Sequence, residues 1–202
     1  MKSLMVQMSV TTVLLAISVA TADAAVTITA DPFTNPITAP AGTPATYSFE
    51  VALSDTDNPT ELQNFQIRML LTGPDAGTDV YFTDIGQTID HPWIDPLLSL
   101  ATKNVDPTEI FAQTFNFATA GNASDNDGLL RVDFAVAPGA EGLYEFAFVA
   151  TGPGDTVLSS PTGAIGLTSI GTSVQIAPVP EPAAVLMLLA AVCGGLMVRR
   201  RR

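Results

Sequence analysis

Apolar positions recur with a period of two through most of the chain. In Thr46–Leu53 the residues Tyr47, Phe49, Val51 and Leu53 share one face. Phe65, Ile67, Met69 and Leu71 alternate with Asn64, Gln66 and Arg68; Leu130, Val132, Phe134 and Val136 alternate with Arg131, Asp133 and Ala135. Tyr144, Phe146 and Phe148 oppose Glu145 and Ala147. This is the pattern of strands with one face buried and one wet. Weaker runs of the same kind cover Val26–Thr29, Val80–Ile85, Phe111–Phe117, Thr156–Ser159 and Ser173–Ala177. Turn residues separate them, at Pro40-Ala41-Gly42, Gly73-Pro74-Asp75, Pro138-Gly139 and Gly152-Pro153-Gly154. About eight or nine strands so punctuated, with no convincing helix between them, predict an all-β chain folded as an antiparallel β-sandwich. Two stretches are irregular. Pro92 and Pro96 limit His91 to Leu100 to a short helical turn, and Gly121 to Gly128 is a polar loop.

The period changes at both ends. Met1-Lys2 leads into an apolar stretch from about Val10 to Ala20, and Ala22-Asp23-Ala24 is a small-x-small triplet. A positive start, an apolar segment and a small-residue cleavage site make residues 1–24 a signal peptide, cut by signal peptidase after Ala24 or, alternatively, after Ala22. At the other end Pro180-Glu181-Pro182 precedes an unbroken apolar run, Ala183–Val198, and then Arg199, Arg200, Arg201 and Arg202. As a helix that run would be about 24 Å long, slightly short for a bilayer core of about 30 Å. Terminal arginines can snorkel, and they would hold that end in the cytoplasm. Lys2 does the same for the signal peptide, so the segment between is expected outside.

Val179-Pro180-Glu181-Pro182, the short apolar helix and the terminal Arg cluster together resemble a PEP-CTERM sorting domain. The resemblance implies recognition at the membrane by an exosortase, removal of the tail near the motif, and a host of Gram-negative type that makes exopolysaccharide. The expected destination is the cell envelope, the outer surface or the extracellular matrix, with the membrane held only transiently. Exopolysaccharide or envelope components are the expected partners. The lone Cys193 lies within this helix, so a trimmed domain would hold no thiol and would depend on its core.

The chain thus divides into a signal peptide (1–24), a sandwich (25–172), a last strand and linker (173–179) and a sorting tail (180–202). Within the sandwich, Thr46–Leu53 followed by Leu62-Gln63-Asn64-Phe65-Gln66-Ile67 resembles the second and third strands of cohesin-like, jelly-roll sandwiches. Gly128–Phe134 followed by Gly142–Phe148 resembles a later pair of that group. Fold does not fix function, so this resemblance alone names no partner.

Composition matters chiefly through charge. Of 8 basic residues, Lys2 and the four terminal arginines lie in the ends, which leaves Arg68, Lys103 and Arg131. Of 20 acidic residues only Asp23 and Glu181 are lost, so the central segment carries about −15. Such a surface repels nucleic acid and favours cations. Two acidic loops are candidate calcium sites, because calcium takes six to eight flexible oxygens. One holds Asp55 and Asp57 with Asn58 and Glu61, the other Asp125 and Asp127 with Asn122 and Asn126. The second misses EF-hand register, since aligning Gly128 with the motif glycine puts Ala123 at the first ligand position. Plain solvated turns are the better explanation of both loops. No other cofactor is implied.

His91 is the only histidine, and with no second His or Cys in the domain it reads as a loop residue rather than a zinc ligand. Trp93, the sole tryptophan, either stacks on a sugar face or pins its loop to the core beside Ile94 and Leu97. There is no G-x-S-x-G, H-E-x-x-H or P-loop pattern. The expectation is a noncatalytic structural or interaction protein, with a carbohydrate- or protein-binding module, calcium-dependent or not, as the alternative.

Overall fold

The structure, a computed structural model, describes residues 26–34, 36–54, 60–91, 100–114, 121–123, 126–150 and 155–178. Within them the chain forms β1 (Val26–Ala30), β2 (Ile37–Thr38), β3 (Ala45–Ser54), β4 (Thr60–Leu62), β5 (Asn64–Thr72), β6 (Val80–Gly86), β7 (Leu100–Asp106) and β8 (Glu109–Thr114). Then follow β9 (Gly121–Ala123), β10 (Gly128–Val136), β11 (Gly142–Phe148), β12 (Val157–Ser160), β13 (Gly163–Ile165), β14 (Leu167–Ile170) and β15 (Thr172–Ala177).

Two sheets pack face to face. The first has the order β14-β1-β3-β10-β6. The second runs β13-β12-β5-β11-β15-β2, with β8 on the free side of β5 and β7 beyond β8. Between them Phe49, Phe82, Phe134 and Phe146 meet, with Phe134 and Phe146 ring centres 5.0 Å apart and Phe49 and Phe146 4.9 Å apart. Phe33, beyond the end of β1, closes this cluster edge-on against Phe134 at 5.6 Å. Such pairs add to the area term because ring edges and faces carry opposite partial charge.

The four strong period-two runs are β3, β5, β10 and β11, the central strands, and their inward residues are those the alternation marks. The Pro138-Gly139 turn has Gly139 at φ 81° and an Ala140 N–H bonded to Ala137 C=O, the signature of a type II turn.

Several expectations need correction. The sandwich is not wholly antiparallel: β1 pairs with β14, and β2 with β15, in parallel. Both follow from two segments that switch sheets side by side: the chain leaves the first sheet as β1 and enters the second as β2, and later leaves it as β14 and enters the second as β15 at Gly171. A Cβ at Gly171 would run into the Phe146 carbonyl oxygen. The polar loop expected over Gly121–Gly128 contains a strand, β9, paired with β4. Strand β8 begins at Glu109 rather than Phe111, because its register follows β5 and the β7 hairpin; residues 115–117 of the expected run lie outside the described residues. Leu100 belongs to a strand, and residues 92–99, where a short helical turn is expected, lie outside the described residues.

Candidate functional site

The two outer faces of the sandwich differ. On the first sheet, β3 is buried on both sides: Glu50 is 4% exposed and Ala52 5%, although the alternation places them on the wet face. The cause is the segment 87–91, which leaves β6 and runs back across the outside of β10 and β3. Thr88 passes over Gly128, where a Cβ would overlap its side chain. Three consecutive backbone N–H groups then converge on the Glu50 carboxylate. Ile89 donates to Oε1, Asp90 is shared between Oε1 at 3.2 Å and Oε2 at 3.1 Å, and His91 donates to Oε2 at 2.9 Å. Successive N–H groups of this kind form a concave anion-binding nest, here filled from within the chain.

Asp31 fastens the far end. Its N–H bonds Glu50 C=O at 2.8 Å, its Oδ2 accepts from Glu50 N–H at 3.3 Å, and its Oδ1 meets His91 Nε2 at 3.1 Å. Burial pushes the imidazole pKa down. The hydrogen bond and charge of Asp31 more than offset this, with Asn126 and Glu50 acting in the same direction, so the net position is above the ordinary histidine value. His91 is therefore a loop residue, as its isolation implied, but one tied into a carboxylate pair. The one sign of this in the sequence is that Glu50 is the only charged residue between Asp31 and Asp55.

The outer face of the second sheet has no such cover among the described residues. There Arg68 of β5 lies opposite Phe111 of β8, and Leu70 opposite Glu109. The Arg68 guanidinium forks onto Glu109, with Nε to Oε1 at 2.8 Å and a second arm to Oε2 at 3.2 Å. Asp155 sits behind this pair, its side chain 5% exposed, with Oδ1 3.9 Å from Arg68 and its carbonyl accepting from Gln66 Nε2 at 2.6 Å. Leu70 and Phe111 are half-buried. The face thus sets two half-buried apolar side chains beside a bidentate ion pair.

Of the candidate residues, Asp127 is half-buried ahead of β10, and its carbonyl accepts the Leu53 N–H. Asn126 beside it takes a left-handed φ of 71° and donates its N–H to Leu53 C=O. These bonds close the 126–128 turn onto β3. Asp55, Asp57, Asp125 and Trp93 lie outside the described residues, as do Ala22, Ala24, Pro180, Glu181, Pro182 and Arg199 to Arg202. Among the described residues no three His, Cys, Asp or Glu side chains converge as a metal site, and no helix is long and apolar enough to cross a membrane.

No family model and no curated protein matches the sequence. Solved structures do match in shape. A chain of the type I cohesin–dockerin complex Coh-OlpA-Doc918 from Clostridium thermocellum superposes with a TM-score of 0.54 at 10% identity, over 76% of this chain and 99% of that one. The sixth cohesin of scaffoldin B from Acetivibrio cellulolyticus, solved with a Cel5 dockerin, gives 0.53 at 8% identity, over 76% and 99%. The seventh ScaB type I cohesin from Pseudobacteroides cellulosolvens gives 0.51 at 13% identity, over 78% and 96%. The fold is cohesin-like. At these identities the likeness concerns architecture, and the side chains on each face are this chain's own.

Proposed function

We propose that this chain is an exported, noncatalytic interaction module, carried to the envelope or matrix by an exosortase-type tail, that docks a partner protein on the outer face of its second sheet. The observation that carries the reading is the asymmetry of the two faces in a cohesin-like sandwich. One is covered by the 87–91 segment; the other presents Leu70, Phe111 and the Arg68–Glu109 pair uncovered among the described residues. A sheet face with partly exposed apolar side chains and a directional Arg–Glu pair suits protein recognition, where hot spots are enriched in aromatic and arginine side chains. The cohesin structures solved with dockerins support a protein partner over a small molecule. The tail motif Pro180-Glu181-Pro182 with Arg199 to Arg202, and the Ala22/Ala24 site, support export and sorting.

The test uses the purified chain on beads, challenged with envelope extract of its own host. A protein retained by the wild type and by Ser48→Asp, on the opposite sheet, but lost with Phe111→Asp supports the reading. Retention unaffected by Phe111→Asp, or hydrolysis of host glycan by the purified chain, overturns it.

A further inference from the structure

Glu50 and Arg131 are cross-strand partners in the β3–β10 ladder. Directly opposed residues have Cβ atoms about 4.5–5.5 Å apart, close enough for an arginine to reach a glutamate. They do not pair. Arg131 turns along its own strand and forks onto Asp133, at 3.0 and 3.1 Å, while Glu50 is held by the N–H groups of residues 89–91. Between them lies a cleft of about 240 Å³ whose walls include Asp31, Phe33, Ser48, Asp90 and both charged partners. The guanidinium has room to swing across it.

We propose that residues 87–91 are a releasable strap over the first sheet, and that Arg131 is the alternative counter-ion which takes over Glu50 when the strap lifts. Removing all partners from a buried carboxylate is very costly, so an ordinary loop gripping one would be locked. Here a second partner stands in register, and the open state need not leave the charge uncompensated. The closed state also carries a defect of its own. Thr88 Oγ1 is buried with no hydrogen-bond partner among the described residues, and lifting the strap would hydrate it. Two arrangements that each satisfy Glu50, one of them burdened by the buried Thr88 hydroxyl, make a two-state element.

The Asp31–His91 contact sets the bias. The charged groups that act on His91 are Asp31 beyond β1, 3.1 Å from its Nε2, and Glu50 on β3; Asp90, its neighbour on the strap, and Arg131 on β10 line the adjoining cleft, and Arg131 is itself paired with Asp133. Protonated His91 is the one cation the strap contributes to this acidic set. Losing its proton leaves Asp31 and Glu50 less compensated and draws Arg131 toward them, so rising pH favours opening. This inference does not depend on the second sheet's open face and can fail or hold independently of it.

The experiment is amide hydrogen exchange on the full chain in detergent micelles, normalised to intrinsic rates, with β10 amides as the folding control. From about pH 6 to about pH 9, protection over 89–91 should fall by about tenfold or more, the scale of one charge-assisted hydrogen bond. Asp31→Asn should abolish that slope, and Arg131→Leu should raise protection at the alkaline end by removing the open state's counter-ion. Protection independent of pH, a slope that survives Asp31→Asn, or unchanged or lower protection in Arg131→Leu would each overturn the proposal.

Discussion

The side chain of Thr88 occupies the space above Gly128 where any other residue would carry its Cβ. This contact lets the 87–91 segment lie flat on β10 and reach Glu50 on the next strand. Gly128→Ala should therefore cost about 1–3 kcal/mol, the usual range for overpacking a close-fitting site. It should also expose the amides of residues 89–91. Gly42 is the matched control, with open space around its Cβ position and no positive φ; Gly42→Ala should leave stability within about 0.5 kcal/mol. Urea midpoints at constant m-value measure both. Equal costs at the two positions would contradict the packing account.

Two ion pairs should give pH dependences of opposite sign. His91 sits above its ordinary value because Asp31 outweighs the burial that would lower it. Its contribution is then fully present below the ordinary histidine value of about 6.5 and disappears as pH rises through the folded pKa. Asp84 is displaced the other way, chiefly by a hydrogen bond from Lys103 at 2.8 Å and next by the Ile85 N–H. Its contribution is present above the ordinary aspartate value of about 3.9 and is lost as pH falls through the folded pKa. Both Asp84 and Lys103 are more than half exposed, so the acid effect should be small and salt-sensitive. Denaturation midpoints across pH for Asp31→Asn and Lys103→Met, each against wild type, separate the two. The alkaline loss should vanish in the first variant and the acid loss should shrink in the second.

Phe134 lies within the aromatic cluster, with Phe33 at 5.6 Å, Tyr47 at 5.8 Å and Phe146 at 5.0 Å. Phe134→Ala should cost about 3–5 kcal/mol, since the cavity cannot collapse between two sheets. A double-mutant cycle of Phe33→Leu with Phe134→Leu should show coupling of about 0.5–1.5 kcal/mol. Additive costs would mean that Phe33 only covers the cluster without packing into it.

The sorting tail makes a prediction that needs no folding measurement. The native protein, recovered from washed envelope and from the matrix of its host, should have an intact mass that starts near Ala25 and ends close to Pro180–Pro182, with or without an added group. A mass that still includes Arg202 would mean that the tail is a permanent anchor.

The second sheet shows how far alternation carries. β5 and β11 are flanked on one side by the core and on the other by solvent, so polarity in sequence and burial in space coincide. Arg68 could be assigned outward from the pattern but Phe111 could not: alternation over Phe111–Phe117 groups the phenylalanines as the apolar face, and only the β5–β8 pairing between distant segments turns Ile110 and Ala112 inward and leaves Phe111 opposite Arg68. The short strands β2, β4, β9, β13 and β14 were not legible. With two to four residues each, they lack the repeats that a period requires, and only their partners' edges order them.

Read alone, the sequence determines the strands whose alternation is long, the turn at Pro138-Gly139 and the acidity of the central segment. These are local properties, set by the pleat, by the φ that Gly and Pro permit, and by side-chain chemistry. Tertiary structure alone decides that Glu50 is buried, that Arg131 stands opposite it yet binds Asp133, and that His91 meets Asp31. Each depends on the 87–91 segment folding back over a sheet built from strands some forty residues away on either side, and a backbone N–H that will find a carboxylate across that distance leaves no mark on its own residue type.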